Sequence, residues 1–266
     1  MIISNRVSEL RKLMAEKQIS AYIVPSADNH QSEYTGEHFK TRAYLSGFTG
    51  SAGTVVITKN DAGLWTDGRY FIQAQRQLAG SGIRLFKMGE PGVPTVEEFL
   101  YSSMDKGSKL GFDGRVIAAE EGKSLQALLS QKDIDIVYDV DLVGDIWKDR
   151  PAISVKPAFL LDTKYSGESF SSKLARLREK MSLEKASVHI ITSLDDIAWL
   201  FNIRGEDVTY SPLVLSYAVV STEEVFLFID HHKLGPEILE ELAKENVTIK
   251  PYNDVYEFVK NLKEDS

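Results

Sequence analysis

The 266-residue chain contains no cysteine. That excludes disulfide scaffolds, thiol nucleophiles, and zinc or iron–sulfur centres ligated by cysteine. Cationic residues are short as well: 31 Lys and Arg stand against 39 Asp and Glu, for a formal charge of −8. A pI near 5.3 argues against a general nucleic-acid or anionic-membrane binder. Long apolar runs are missing. The longest, such as Val225–Ile229, have the length of buried strands, and no 18-residue stretch suits a bilayer. The start, MIISNRVSELRKLM, scatters charges where a secretory signal needs an apolar core. With 43% apolar and 26% charged residues the composition is that of a globular protein. A reducing cytoplasm is the expected location, and the length suggests two domains.

What is present is organised as a repeat. Residues 4–14 form an amphipathic helix with Val7, Leu10 and Leu13/Met14 on one face and Ser4 or Asn5 as cap. A short strand at 21–24 stops at Pro25, and a second helix is expected over 39–45. A glycine-rich turn (47–53), strands at 54–58 and 64–66, the turn Asp67-Gly68-Arg69-Tyr70, a helix over 70–78 and a strand at 83–87 follow. Thr95 then caps a helix over 96–101. The same order returns about 160 residues later, with helices at 171–181, 194–201 and 236–244, a hairpin of 216–220 with 225–229, a strand at 247–250, and Asp230 in the place of Asp67. Two copies imply tandem domains rather than a solenoid. Helices alternating with a hairpin and other short strands imply a mixed sheet flanked by helices, an α/β class. The expected division is 1–150 for the first domain, a Pro-containing linker at 151–169, and 170–266 for the second. The first copy runs on through a strand-like turn at 109–114, a helix over 120–129 and a strand at 134–139. The second stops at Lys-Glu-Asp-Ser266, short of those counterparts, so a trimmed copy or a longer natural chain is expected.

A search for self-sufficient chemistry returns little. Of five histidines, none has the His-x-x-x-His spacing that pairs imidazoles on a helix. His231 and His232 follow a strand, where adjacent side chains diverge, and are read as solvated turn residues rather than metal ligands. His30 and His38 flank Gln-Ser-Glu33-Tyr34, an ordinary polar loop or a binding loop. Asp195-Asp196 is explained by a capping box with Ser193. The stretch Thr49-Gly50-Ser51-Ala52-Gly53 lacks the glycine two before serine of a nucleophile elbow and the Lys-Ser/Thr of a phosphate loop. Its glycines suit a tight turn or close packing. At Asp67-Gly68-Arg69-Tyr70, Arg69 offers a planar fork for a carboxylate, or else pairs with Asp67 to brace the turn. Asp207-Val-Thr-Tyr210-Ser-Pro212 is a groove-lining or inter-domain packing loop.

Five segments carry a resemblance. Asp-Asn-His-Gln-Ser-Glu-Tyr (28–34), Tyr-Leu-Ser-Gly-Phe-Thr-Gly-Ser-Ala-Gly-Thr (44–54) and Leu-Trp-Thr-Asp-Gly-Arg-Tyr-Phe-Ile-Gln-Ala (64–74) resemble the N-terminal region of Xaa-Pro aminopeptidases, the aminopeptidase P enzymes of the creatinase/prolidase metallopeptidase family. Ser-Leu-Asp-Asp-Ile-Ala-Trp-Leu-Phe-Asn-Ile-Arg-Gly (193–205) and Tyr-Ser-Pro-Leu-Val-Leu-Ser-Tyr-Ala (210–218) resemble the second domain of its long, three-domain members, with Ser211 where many have Asn. The resemblance implies two related non-catalytic domains. It also implies a third, pita-bread domain absent from this chain, which holds two divalent metals, commonly manganese, through two Asp, one His and two Glu. The whole enzyme would act on peptides with proline at the second position, as a cytoplasmic homodimer without nucleic-acid or membrane partners. This chain would hold neither metal nor catalytic residue. It would shape the substrate entrance and subunit contacts, with Asp67, Arg69, Tyr70, His30 and Glu33 as entrance residues. The competing readings are a free-standing binding or regulatory protein on the same scaffold, and an enzyme with a small-molecule site around 47–53 and Arg69.

Overall fold

The computed structural model describes residues 2–262; the Lys-Glu-Asp-Ser end of the chain (263–266) lies outside them. The chain divides into two units, Met1–Ala152 and Ile153–Ser266.

In the first unit the order is α1 (Ile2–Glu16), β1 (Ala21–Val24), α2 (Thr41–Ser46), β2 (Thr54–Thr58), β3 (Ala62–Thr66), α3 (Phe71–Gln77), β4 (Arg84–Lys87), α4 (Val96–Ser103), β5 (Lys109–Gly111), α5 (Ala119–Leu129), β6 (Asp135–Val137) and α6 (Leu142–Ile146). The strands form one sheet in the order β4-β3-β2-β1-β5-β6. β1 runs antiparallel to β2 and parallel to β5, and β3 runs parallel to β4. The central strands β1, β2 and β3 are buried on both faces because their alternating side chains feed two cores. Tyr22, Val24, Val55, Ile57 and Leu64 join α1, α2, α3 and α6 on one face. Ala21, Ile23, Val56 and Trp65 join α4 and α5 on the other. Trp65 stacks on Phe86, with ring centroids 4.0 Å apart. Tyr22 donates its hydroxyl hydrogen to the Val140 carbonyl (2.7 Å) and accepts from Leu142 N–H (3.1 Å), tying α6 to β1.

α1 buries Val7, Leu10 and Met14, each contributing about 1.5–3 kcal/mol as apolar surface leaves water. It begins at Ile2, so Ser4 and Asn5 lie inside its first turns and are not caps. Thr95 and Glu98 form a reciprocal capping box on α4.

The second unit contains β7 (Phe159–Leu160), α7 (Thr163–Ser166), α8 (Phe170–Leu183), β8 (Val188–Ile191), α9 (Leu194–Phe201), β9 (Ile203–Arg204), β10 (Ser216–Ser221), β11 (Val225–Ile229), α10 (Pro236–Lys244), β12 (Val247–Lys250) and α11 (Val255–Lys260). Its main sheet has the order β12-β11-β10-β8, and β7 pairs with β9. The stretch read as a linker thus carries β7 and α7. It is hydrogen-bonded through Ala158 N–H to the Lys233 carbonyl and Leu161 N–H to the Asn202 carbonyl. One sheet face packs on α8, α9 and α10. On the other, Tyr217 meets Tyr252 (5.1 Å) and Phe228 meets Phe258 of α11 (5.3 Å).

Ser193 accepts from Asp196 N–H at 3.4 Å, but the reciprocal half of the expected box is missing. An aspartate is one methylene shorter than the Glu98 that completes the box on α4. Asp207, expected in a groove-lining or packing loop, is instead buried inside the unit. Its Oδ2 accepts from Lys233 Nζ at 2.6 Å and from Leu215 N–H at 2.8 Å. Tyr210 of the same loop is 88% exposed, with a left-handed φ of 68°.

Candidate functional site: a crevice at the carboxyl edge of the first sheet

β1, β3, β4 and β5 point the same way, so the loops that leave them gather along one sheet edge, the usual place for ligands in open α/β sheets. Two adjoining clefts lie there. The polar one, about 340 Å3, is lined by Ser26, Gln31, Glu33, Ser51, Arg69 and Glu121, among others. The other, about 310 Å3, is more apolar and shares Thr54 and Glu121 with it.

Each wall of the polar cleft has a local cause. Asp28 is fully buried, and its Oδ1 accepts from the N–H groups of His30 (2.9 Å) and Ser32 (3.0 Å). This folds the loop after β1 back on itself, with Gln31 in the left-handed region at φ 57°. Ser26 Oγ donates to the Gly53 carbonyl (2.8 Å), joining that loop to the glycine-rich segment.

The glycine-rich segment is held from beneath. Gly47 ends α2 at φ 73°, a conformation in which a Cβ is strained. The buried Arg42 guanidinium donates to the carbonyls of Phe48 (2.9 Å) and Gly50. Desolvation lowers its pKa to about 10, so it stays charged at neutral pH. A Cβ on Gly50 would lie 2.7 Å from Tyr70 Cδ1 and overlap the Phe48 ring. This glycine is a packing requirement. Thr49 closes the clamp: its N–H donates to Gln77 Oε1 (2.9 Å), and its Oγ1 accepts from Gln77 Nε2 (2.8 Å) and Gln73 Nε2 (3.0 Å) of α3.

Arg69 stands at the cleft with its fork already occupied. Nε and Nη2 donate to the two carboxylate oxygens of Asp67, both at 2.9 Å, and Arg69 N–H donates to Oδ1 at 3.0 Å. Hydrogen bonding to Arg69 holds the Asp67 carboxyl below its ordinary range. Tyr70 is spoken for too: its hydroxyl and Ser51 Oγ are 2.7 Å apart, and its ring meets Phe48 edge-on at 5.8 Å. Of the five entrance residues, the structure brings Glu33 and Arg69 to one cleft. Asp67 and Tyr70 brace the cleft from behind. His30 is half-buried, has its N–H on Asp28, and does not line the cleft. His38 is drawn elsewhere: its Nδ1 lies 2.7 Å from the Pro151 carbonyl, and its own carbonyl accepts from Arg150 Nε (2.8 Å).

The same turn occurs a second time in the first unit. Asp113-Gly114-Arg115, after β5, repeats the tripeptide Asp67-Gly68-Arg69 and its side-on pair, with Nε–Oδ1 2.9 Å and Nη2–Oδ2 2.8 Å. The repeated tripeptide is its signal in the sequence. Glu121 carries no such signal, since a helix-start glutamate is unremarkable until the fold turns it toward a cleft.

Asp230, His231 and His232 correct another expectation. The imidazoles do not diverge; their centroids are 3.9 Å apart, and His232 Nδ1 lies 2.8 Å from Asp230 Oδ1. The reason is that 231–233 is a 3-10 turn, capped by Asp230 accepting from His232 N–H. Among the described residues this is the one group of metal-type donors whose ligand atoms converge. Three donors from consecutive residues, a half-buried aspartate and two exposed histidines, do not fit a centre built from two Asp, one His and two Glu.

A profile of the creatinase/prolidase N-terminal domain matches residues 6–143, and a second profile of that description matches 149–266. The chain belongs to the creatinase/prolidase N-terminal domain family. It carries two consecutive domains of that family, each a mixed sheet with helices packed on it. The chain is 41% identical to a probable Xaa-Pro aminopeptidase P of Coprinopsis cinerea, over 97% of this chain and 42% of that protein. It is 40% identical to aminopeptidase P2 of Arabidopsis thaliana, over 98% and 37%. In the crystal structure of X-prolyl aminopeptidase from Caenorhabditis elegans, described as a cytosolic enzyme with a di-nuclear active site, a matching region superposes with a TM-score of 0.93 at 37% identity. That match covers 98% of this chain and 44% of the nematode chain. The creatinase/prolidase N-terminal pair thus spans about two fifths of the length of the relatives it matches.

Proposed function

We propose that this chain is the non-catalytic N-terminal region of an Xaa-Pro aminopeptidase. The hydrolysis of the bond before a second-position proline would be carried by residues outside these two domains. The observation that carries the reading is the nematode match, which runs through both units at once. On this reading the crevice contributes to the substrate entrance, with Glu33 and Arg69 facing the passing peptide and Asp67, Tyr70 and His30 supporting them. The Asp67–Arg69 pair fits this role because it fixes the position of the guanidinium at an exposed rim, at the cost of leaving less of the fork open. The two divalent metals, manganese by family expectation, belong to the whole enzyme, as do the homodimer and the cytoplasmic location. The nematode relative's description as cytosolic supports the last of these.

The test has two arms. The 266-residue chain should not cleave Arg-Pro-Pro with added Mn2+, and robust cleavage would overturn the reading. In a polypeptide extended to the length of the relatives and active on that peptide, Arg69→Ala should raise KM more than it lowers kcat. Unchanged kinetics would remove the entrance role while leaving the family assignment standing.

A further inference from the structure

The apolar cleft of the first unit has a chemistry that the reading above does not use. Its walls include Ile23 of β1, Trp65 of β3, Met88, Val96 of α4 and Leu125 of α5. Trp65 is 1% exposed, and its indole N–H donates to the Pro94 carbonyl (2.8 Å), which fixes the rim. Met88, at 52% exposure, is an adaptable edge of the kind methionine supplies to binding surfaces. Two carboxylates from different helices, Glu97 of α4 and Glu121 of α5, converge on this cleft.

Acidic residues in a first helical turn are ordinarily accounted for by the helix dipole. Here that account covers only their neighbours. Glu98 completes the capping box of α4, and Glu120 pairs with Lys123 at 3.4 Å. Among the described residues Glu97 and Glu121 form no ion pair or hydrogen bond. They repel one another across an apolar wall, and the Glu121 carboxyl is raised above its ordinary range by desolvation first and by Glu97 second. The fold tolerates an uncompensated negative charge beside an apolar cavity, an arrangement complementary to a cation with an apolar body. A volume of about 310 Å3 admits one amino-acid-sized group, at the small end of ligand sites.

We infer that this cleft binds the amino terminus of a peptide whose first side chain is apolar: the side chain packs against Met88, Val93 and Val96 over a floor of Ile23, Trp65 and Leu125, and the ammonium group sits between Glu97 and Glu121. The inference stands whether or not the chain belongs to a peptidase. The probes are phenylalaninamide and N-acetylphenylalaninamide, which differ in the charge at nitrogen, titrated into the 266-residue chain with the methyl signals of Ile23, Met88 and Leu125 followed by NMR. Phenylalaninamide should give saturable shifts of those methyls, and the acetylated probe should bind at least about fivefold more weakly. Glu121→Gln and Glu97→Gln should each weaken the charged probe about three- to tenfold. Neither should weaken binding of the neutral probe or lower the thermal midpoint, because each substitution relieves the repulsion between the two carboxylates. Equal affinity for the two probes, shifts confined to residues outside the cleft, no saturation by either probe, or charged-probe binding indifferent to both substitutions would each overturn the inference.

Discussion

The two units repeat one topology and stabilise it by different polar devices. β4-β3-β2-β1 of the first sheet corresponds strand for strand to β12-β11-β10-β8 of the second, with the same senses of pairing. The turns correspond as well. After α1, Gln18 takes φ 57° and Ile19 N–H reaches back to the Met14 carbonyl; after α8, Lys185 takes φ 56° and Ala186 N–H reaches back to Met181. α2 ends in left-handed Gly47, and α9 in left-handed Asn202. Asp67 and Asp230 each accept an N–H from two residues on. What differs is the filling. The first unit buries Arg42 under backbone carbonyls of the glycine-rich segment. The second buries Lys173 between the Trp199 carbonyl and Asn202 Oδ1, both 2.6 Å away, and seals an internal Lys233–Asp207 pair. Backbone pairing patterns thus persist through duplication, while buried charge is resolved anew wherever a local partner exists.

The comparison can be broken most severely at the sealed pair. Both side chains are 1% exposed, so Lys233→Met leaves the Asp207 carboxylate buried without its cation and should cost about 3–5 kcal/mol. Denaturant unfolding of a variant keeping only Trp199 would report the second unit, and Lys233→Met combined with Asp207→Leu should recover part of the loss. A smaller effect is expected in the first unit. Gly50→Ala forces a Cβ into the Phe48 and Tyr70 rings and should cost about 1–3 kcal/mol, followed through Trp65 and Trp147.

Next comes pH. Burial holds His38 below its ordinary value, with Arg150 adding to the effect against the opposing bond to the Pro151 carbonyl. The folded state favours the neutral imidazole. Its stabilisation is therefore complete above the unfolded pKa of about 6.5 and is lost as pH falls through the lower folded value. His38→Asn should flatten that part of the stability–pH curve of the first unit, while the second unit should keep its own profile.

The edges separate the units again. β1 is flanked on both sides, but among the described residues β8 pairs only with β10, and its His189 and Ile190 are exposed. The outward amides of β8 should exchange faster than those of β1, and Ile190→Lys should reduce any concentration-dependent association of the 266-residue chain seen by light scattering. The smallest effect belongs to the exposed Asp67–Arg69 pair, where Arg69→Ala should leave the unfolding midpoint almost unchanged.

Much of this architecture was legible in the residues. β1, β2 and α10 occupy the spans that the apolar patterning and Pro236 indicated, because short-range periodicity and turn residues act within a few positions. The site was legible only in pieces. Arg69 and Glu33 stand out in sequence, but their meeting depends on loops from β1 and β3 converging at one edge. The side-on occupation of Arg69 by Asp67, the close approach of the His231 and His232 rings and the burial of Asp207 against a lysine 26 residues away are settled by backbone turns and packing that no spacing rule encodes.

The sequence alone determined that the chain is a duplicated α/β protein without thiol chemistry, because composition and hydrophobic period are local properties summed along the chain. Only the tertiary structure decided which charges are spent internally and which face a cleft. Arg42, Lys233 and Asp207 are consumed inside the units, whereas Glu97 and Glu121 are left facing an apolar wall. The reason is physical: the free energy of a charge depends on its partners and on the water around it, and both are fixed by residues far away in sequence.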